Sequence, residues 1–203
     1  GLFIRLLANV GDDDLAQDNA RDLHDSYLRD AGSVEPNMAA AVTGVVASKG
    51  AAAEYDLFLE KYRDPSTPQE ERRYQSALSA FPGEPEMKRT LKMTLDGTVR
   101  TQDAPYLLAV CMRNKYQGHI AWDFVKENWD KINEVFPSNS IVRMLSGVTS
   151  LSKPSEAEDV LAFFEDHEVP QGQLTLQQTL EKLQVIVALR ARETERFSAS
   201  LTS

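Results

Sequence analysis

One cysteine, three histidines and two tryptophans are all that this 203-residue chain holds of those residue types. A lone cysteine excludes an internal disulfide and any zinc site built on cysteine pairs. Cys111 lies among Leu107, Leu108, Val110 and Met112, so a buried core thiol is expected, and with it a reducing, cytoplasmic setting. His24, His119 and His167 are far apart, each in a charged or turn context, and read as surface residues. Two histidines four apart on a helix, which a thermolysin-type zinc peptidase needs, do not occur. There is no Gly-x-Ser-x-Gly elbow for a serine nucleophile. Gly44, Gly50 and Gly97 are isolated, so no glycine-rich phosphate loop forms. No apolar run approaches the roughly 18–20 residues that span a bilayer, so a soluble chain without a membrane partner is expected. Basic residues are outnumbered, and a formal net charge of −9 argues against a nucleic-acid partner. No catalytic residue and no metal ligand can be named from the chain, and no cofactor is expected on it.

What the chain does have is helical periodicity from end to end, without strand patterns. Trp122, Val125, Trp129, Ile132 and Phe136 fall at spacings of 3, 4, 3 and 4, which stacks them on one helix face. Asp123, Lys126, Glu127, Asp130 and Lys131 fill the remaining surface. Ala16, Ala20, Leu23 and Tyr27 make another stripe, closed by Gly32; Met38, Val42, Val45 and Val46 make the next, closed by Gly50. Thr67-Pro-Gln-Glu70 and Ser155-Glu-Ala-Glu158 read as capping boxes, each opening a helix. Asp103 is the best N-cap for the helix that carries Cys111, and Asp12-Asp-Asp14 reads as an acidic helix start facing the positive end of the dipole. The last helix is expected to fray after Arg192, leaving Ser198 to Ser203 disordered.

Helix starts near residues 13, 35, 51, 68, 86, 103, 118 and 140 give a two-helix unit of about 33–38 residues. Ten or eleven helices in short-turn pairs predict an all-α fold. The architecture expected is a HEAT/armadillo-like superhelix of stacked antiparallel helix pairs, a compact irregular bundle being the alternative. No linker stands out, and residues 1–203 read as one domain. The chain opens without methionine inside an apolar helical pattern, as a piece of a longer polypeptide would. Two arginines could bind a carboxylate in fork geometry: Arg100, in a polar loop before a helix, and Arg143, on a short and otherwise apolar helix. The competing reading of each is a structural salt bridge.

Four segments occur in order: Val99-Arg-Thr-Gln-Asp-Ala-Pro105, Ala121-Trp-Asp-Phe-Val-Lys-Glu-Asn-Trp-Asp130, Ile141-Val-Arg-Met-Leu-Ser-Gly-Val-Thr149 and Glu158-Asp-Val-Leu-Ala-Phe-Phe-Glu-Asp-His167. This run resembles the C-terminal helical domain of the alanyl/puromycin-sensitive aminopeptidase family of zinc metallopeptidases. It is clear from about Leu95 to Arg192 and fainter, in layout alone, before that. The resemblance implies a non-catalytic domain that encloses the active-site chamber and helps to admit and bind peptide substrates. It implies that zinc and its His-Glu-x-x-His ligands lie in an upstream catalytic domain, the partner within the same polypeptide. Arg100 and Arg143 are then candidate contacts to the peptide. A freestanding helical-repeat adaptor, binding a protein or peptide in a concave groove, remains the alternative. The two differ in what they expect at the N-terminal helices: the first expects an exposed apolar patch there.

Overall fold

Side-chain caps open the helices that start at Asp14, Pro36 and Pro68. In a computed structural model of the chain, which describes residues 1–169 and 171–201, the helices are α1 (Leu2–Arg5), α2 (Asp14–Arg29), α3 (Pro36–Lys49), α4 (Ala52–Arg63), α5 (Pro68–Leu78), α6 (Glu84–Met93), α7 (Ala104–Met112), α8 (Gly118–Glu127), α9 (Trp129–Val135), α10 (Ser138–Leu145), α11 (Pro154–Asp166) and α12 (Gln173–Leu201). The described residues contain no strand, so the fold is all-α. The Asp13 carboxylate accepts the Ala16 N–H at 2.7 Å to open α2, as the acidic run anticipates. Glu35 accepts the Met38 N–H to open α3, with Pro36 in the first helical position. Thr67 accepts the Glu70 N–H at 3.1 Å, while the Glu70 carboxylate reaches back to the Ser66 N–H at 2.7 Å.

Three expectations are corrected. The second capping box does not form: α11 starts two residues earlier, at Pro154, behind Lys153, which makes no side-chain cap. Proline's fixed φ suits that first position, and Ser155 lies inside the helix. The tryptophan helix breaks at Asn128, whose backbone leaves the helical region at φ −113° and ψ 19°. There the Asn128 side-chain amide donates to the Phe124 carbonyl at 2.8 Å, in competition with the helix ladder. The buried stripe of Trp122, Val125, Trp129, Ile132 and Phe136 survives across α8 and α9. The tail expected to be disordered from Ser198 is helical through Leu201; Thr202 and Ser203 lie outside the described residues.

The chain divides into two compact units, one of residues 1–90 and one from residue 91 onward. In the first, α2 packs on α3 and α4 on α5. Small residues make the α2–α3 contact: Ala8, Ala16, Ala20, Val42 and Val45 are buried, with Ile4, Leu23 and Met38 around them. Aromatic rings fill the rest. Phe58 meets Tyr74 and Phe81 edge to face at 5.0 and 5.6 Å, and Tyr55 meets Phe81 at 5.1 Å. Gly50 is required where Phe81 packs, since a Cβ there would lie 2.6 Å from its ring. Ahead of this core, α1 runs into a π-helical turn, Leu6–Val10. Ala8 points into the core, but Leu2, Phe3, Leu6, Leu7, Val10 and Leu15 are exposed. This is the apolar patch at the N-terminal helices.

In the second unit α7 is buried nearly all round, as a helix apolar on every face must be. It packs against α8, α10 and the 3₁₀ turn Ser146–Ser150. The tryptophans meet α11: Trp122 and Trp129 lie edge to face with Phe163 at 5.2 and 5.4 Å. The Trp122 indole N–H donates to Asp159 at 2.6 Å, as does the Lys126 ammonium. Partial burial would raise the Asp159 carboxyl, but the bonds from Lys126 and Trp122 outweigh it and hold the group below its usual value.

Candidate functional site

One set of polar groups stands together on an exposed face along the seam between α7 and α10. On α10 the apolar side chains Ile141, Val142, Met144 and Leu145 turn inward, which leaves Arg143 outward. On α7 the corresponding outward residue is Tyr106, 44% exposed. Arg143 Nη1 donates to the Tyr106 hydroxyl at 3.2 Å. The Ser146 hydroxyl donates to the Arg143 carbonyl at 2.7 Å and accepts from Arg113 Nη2 at 2.9 Å. A single hydrogen-bonded chain therefore runs Tyr106, Arg143, Ser146, Arg113. It depends on Gly147: a Cβ there would lie 2.7 Å from the Ala109 carbonyl oxygen and 2.9 Å from Met112 Cε. Only glycine lets the 3₁₀ turn lie so close to α7.

Arg100 is exposed in the turn that enters α7, where its carbonyl accepts the N–H groups of Asp103 and Ala104 at 2.8 and 3.0 Å. Asp103 occupies the N-cap position as expected, though without a side-chain bond to the helix. Arg100 and Arg143 are both associated with the start of α7, the first by the backbone and the second through Tyr106. The sequence offered no reason to single out Tyr106, Arg113 or Ser146. The available signal was the spacing of seven between Tyr106 and Arg113, about two helical turns, with Arg113 at the C-cap of α7.

The histidines do not converge. His24, expected at the surface, is only 3% exposed, its ring 5.2 Å from Phe58 and 6.4 Å from both Tyr27 and Tyr74. Burial pushes its pKa down to about 4. Its stripe position, four residues after Ala20 and three before Tyr27, outweighs the charged neighbours in sequence. His119 is exposed, and His167 is half-buried, stacked on Phe163 at 3.9 Å with Nδ1 2.8 Å from the Phe163 carbonyl. Among the described residues no three His, Cys, Asp or Glu side chains group as metal ligands. Cys111 is fully buried, and desolvation pushes its thiol up to about 12, far from a reactive thiolate. Among the described residues no helix is long and apolar enough to cross a membrane.

Residues 1–185 match the family model described as the ERAP1-like C-terminal domain. Aminopeptidase M1-B of Oryza sativa subsp. japonica is 30% identical over 136 residues, 66% of this chain and 15% of that protein. Endoplasmic reticulum aminopeptidase 2 of Bos taurus is 32% identical over 152 residues, 72% of this chain and 16% of that protein. The human endoplasmic reticulum aminopeptidase 2 is 29% identical over 167 residues, 79% of this chain and 17% of that protein. The chain thus spans less than a fifth of the length of these relatives.

Proposed function

The chain belongs to the ERAP1-like C-terminal domain family, and from that premise we propose that it is the non-catalytic C-terminal domain of a zinc-dependent aminopeptidase. In that role it encloses the active-site chamber and helps to admit and bind peptides whose N-terminal residues an upstream domain removes. The observation that carries this is the match over residues 1–185 to a domain of enzymes named aminopeptidases, of which the chain spans about a sixth. The exposed apolar face of α1 and its π-turn supports it, because a surface of that kind in a multidomain enzyme is a packing surface. Its partner is the catalytic domain of the same polypeptide. Zinc would be held in that upstream domain, where it activates water for attack on the peptide bond. The described residues of this chain do not fit a zinc site, since no suitable ligand group forms among them.

Arg100 and Arg143 are the proposed contacts to peptide carboxylates, on the strength of their exposure beside α7. We also place the protein in the cytoplasm, on its lone reduced cysteine. Cell fractionation tests that placement. The functional proposal is tested by assaying the 203-residue chain for zinc content and for release of N-terminal residues from peptides. Neither bound zinc nor turnover is expected, and zinc-dependent turnover by this chain alone would overturn the proposal.

A further inference from the structure

The C-terminal half of α12 carries apolar side chains with no core to enter. Leu183 is the last buried residue of the described helix, and Val185, Leu189, Phe197 and Leu201 are all exposed. Arg190 ties the helix to the Ser152 hydroxyl at 2.8 Å; past it, Arg192 and Arg196 pair with Glu193 on the same helix. The family match ends at residue 185, so this stretch lies beyond the part that the family model describes.

Its spacing is symmetric. Val185 and Leu189 lie eight and four residues before Glu193, and Leu201 and Phe197 lie eight and four after it. At about 100° per residue, Leu189 and Phe197 fall about 40° to either side of Glu193, and Val185 and Leu201 about 80°. All belong to one face. An open groove of about 890 Å³ runs along it, lined by Ile186, Leu189, Glu193 and Phe197, with Arg190 and Arg196 beside them. A face that reads the same in both directions suits a two-fold axis, because an isologous contact matches residue i to j and j to i.

We propose that this half of α12 pairs with the same helix of a second copy of the chain, antiparallel about a two-fold axis at Glu193. Val185 then faces Leu201, and Leu189 faces Phe197, twice each across the contact. The two Glu193 carboxylates meet at the axis, and on either side of them stands Arg190 of one copy with Arg196 of the other. Four guanidinium groups thus flank two carboxylates and offset the repulsion between the acids. The net charge of the whole chain, −9, opposes association, but residues 185–201 hold three arginines and two glutamates and do not add to it. The strip is about 25 Å long and about 10 Å wide, and it covers less than the roughly 800 Å² per partner of a standard interface. The dimer is therefore weak, with a dissociation constant on the order of 10–100 µM.

Sedimentation equilibrium of the 203-residue chain, from about 1 µM to about 500 µM, reads the association. The weight-average mass should rise towards twice the monomer value, and Leu189→Glu or Phe197→Glu should hold it at the monomer value. Both positions are exposed, so circular dichroism and unfolding midpoints should stay unchanged. Single cysteines read the register, since the native Cys111 is fully buried. Helices packed about 10 Å apart bring the two residue-193 Cα atoms to about 5 Å at the axis, within disulfide reach. Glu193→Cys should therefore cross-link to itself under mild oxidation by diamide. Leu189→Cys alone should not, because its twin lies about 12 Å away along the helix; mixed with Phe197→Cys, it should cross-link to that variant. Glu195→Cys, on the far face of α12, controls for random collision. A chain that stays monomeric throughout, as when this face packs on another part of a longer polypeptide, overturns the proposal. So does cross-linking of Leu189→Cys alone, or of Glu195→Cys, as fast as that of Glu193→Cys.

Discussion

Acidification should loosen the first unit through His24. The ring is buried among Tyr27, Phe58 and Tyr74, and its Nε2 has no hydrogen-bond partner. Asp25 on the same helix favours the charged ring, and Arg73 on α5 opposes it; desolvation exceeds both and sets the pKa near 4 against 6.5 for the free side chain. Tyr27, Tyr74 and the nearly buried Glu70 complete the surrounding ionisable groups. A base whose pKa falls on folding takes its proton first in the unfolded state, so stability is complete above about pH 6.5 and declines as pH falls towards 4. With those two values the loss relative to pH 7 is about 1 kcal/mol at pH 5.5 and about 2 kcal/mol at pH 4.5. Urea denaturation followed by far-ultraviolet circular dichroism, at pH steps between 7.5 and 4.5, measures it. His24→Phe and His24→Leu shift the absolute stability by altered packing, so the quantity to compare is the slope against pH. Both variants should lack the His24 contribution to that slope. If wild type and variants lose stability in parallel over this range, His24 is not the titrating group and the argument fails.

Two further predictions concern the scaffold. Thr67→Ala should cost about 1 kcal/mol through loss of the N-cap on α5, whereas Ser155→Ala should be close to neutral because Ser155 caps nothing; thermal unfolding of the pair checks this. Gly147→Ala should cost about 1–3 kcal/mol, because its methyl group would press on the Ala109 carbonyl and Met112. A melting temperature equal to that of the wild type would mean that the 3₁₀ turn yields without cost.

Helix starts were legible because they are written in local chemistry. Starts expected near 13, 35, 51, 68, 103 and 118 stand at Asp14, Pro36, Ala52, Pro68, Ala104 and Gly118. Thr67 and Asp13 state their positions through a side-chain oxygen and the amides that follow. The break at Asn128 was not legible, because the apolar stripe continues through it and only the Asn side chain diverts the backbone. His24 was misplaced because its neighbours in sequence are charged while its neighbours in space are aromatic. Of the α7/α10 seam, Arg143 could be named from an exposed position on an apolar helix. Tyr106, Arg113 and Ser146 could not, since their association depends on the close approach that Gly147 permits. The end of α12 was obscured for a different reason: Arg192, Glu193 and Arg196 pair along the helix and support a polar last stretch that lacks a core face.

Both tryptophans of the chain lie in the second unit, against Phe163 and Phe164, and the first unit has none. Indole emission is therefore a built-in optical gauge of one half of the molecule. It will report release of α11 from α8 and α9, where the Trp122 N–H leaves the Asp159 carboxylate. It does not sample the surroundings of His24, where the emitting rings of the first unit are Tyr27, Tyr55, Tyr62 and Tyr74. Only tryptophan emission follows the line of the packing, since Tyr106 and Tyr116 put tyrosine in the second unit as well.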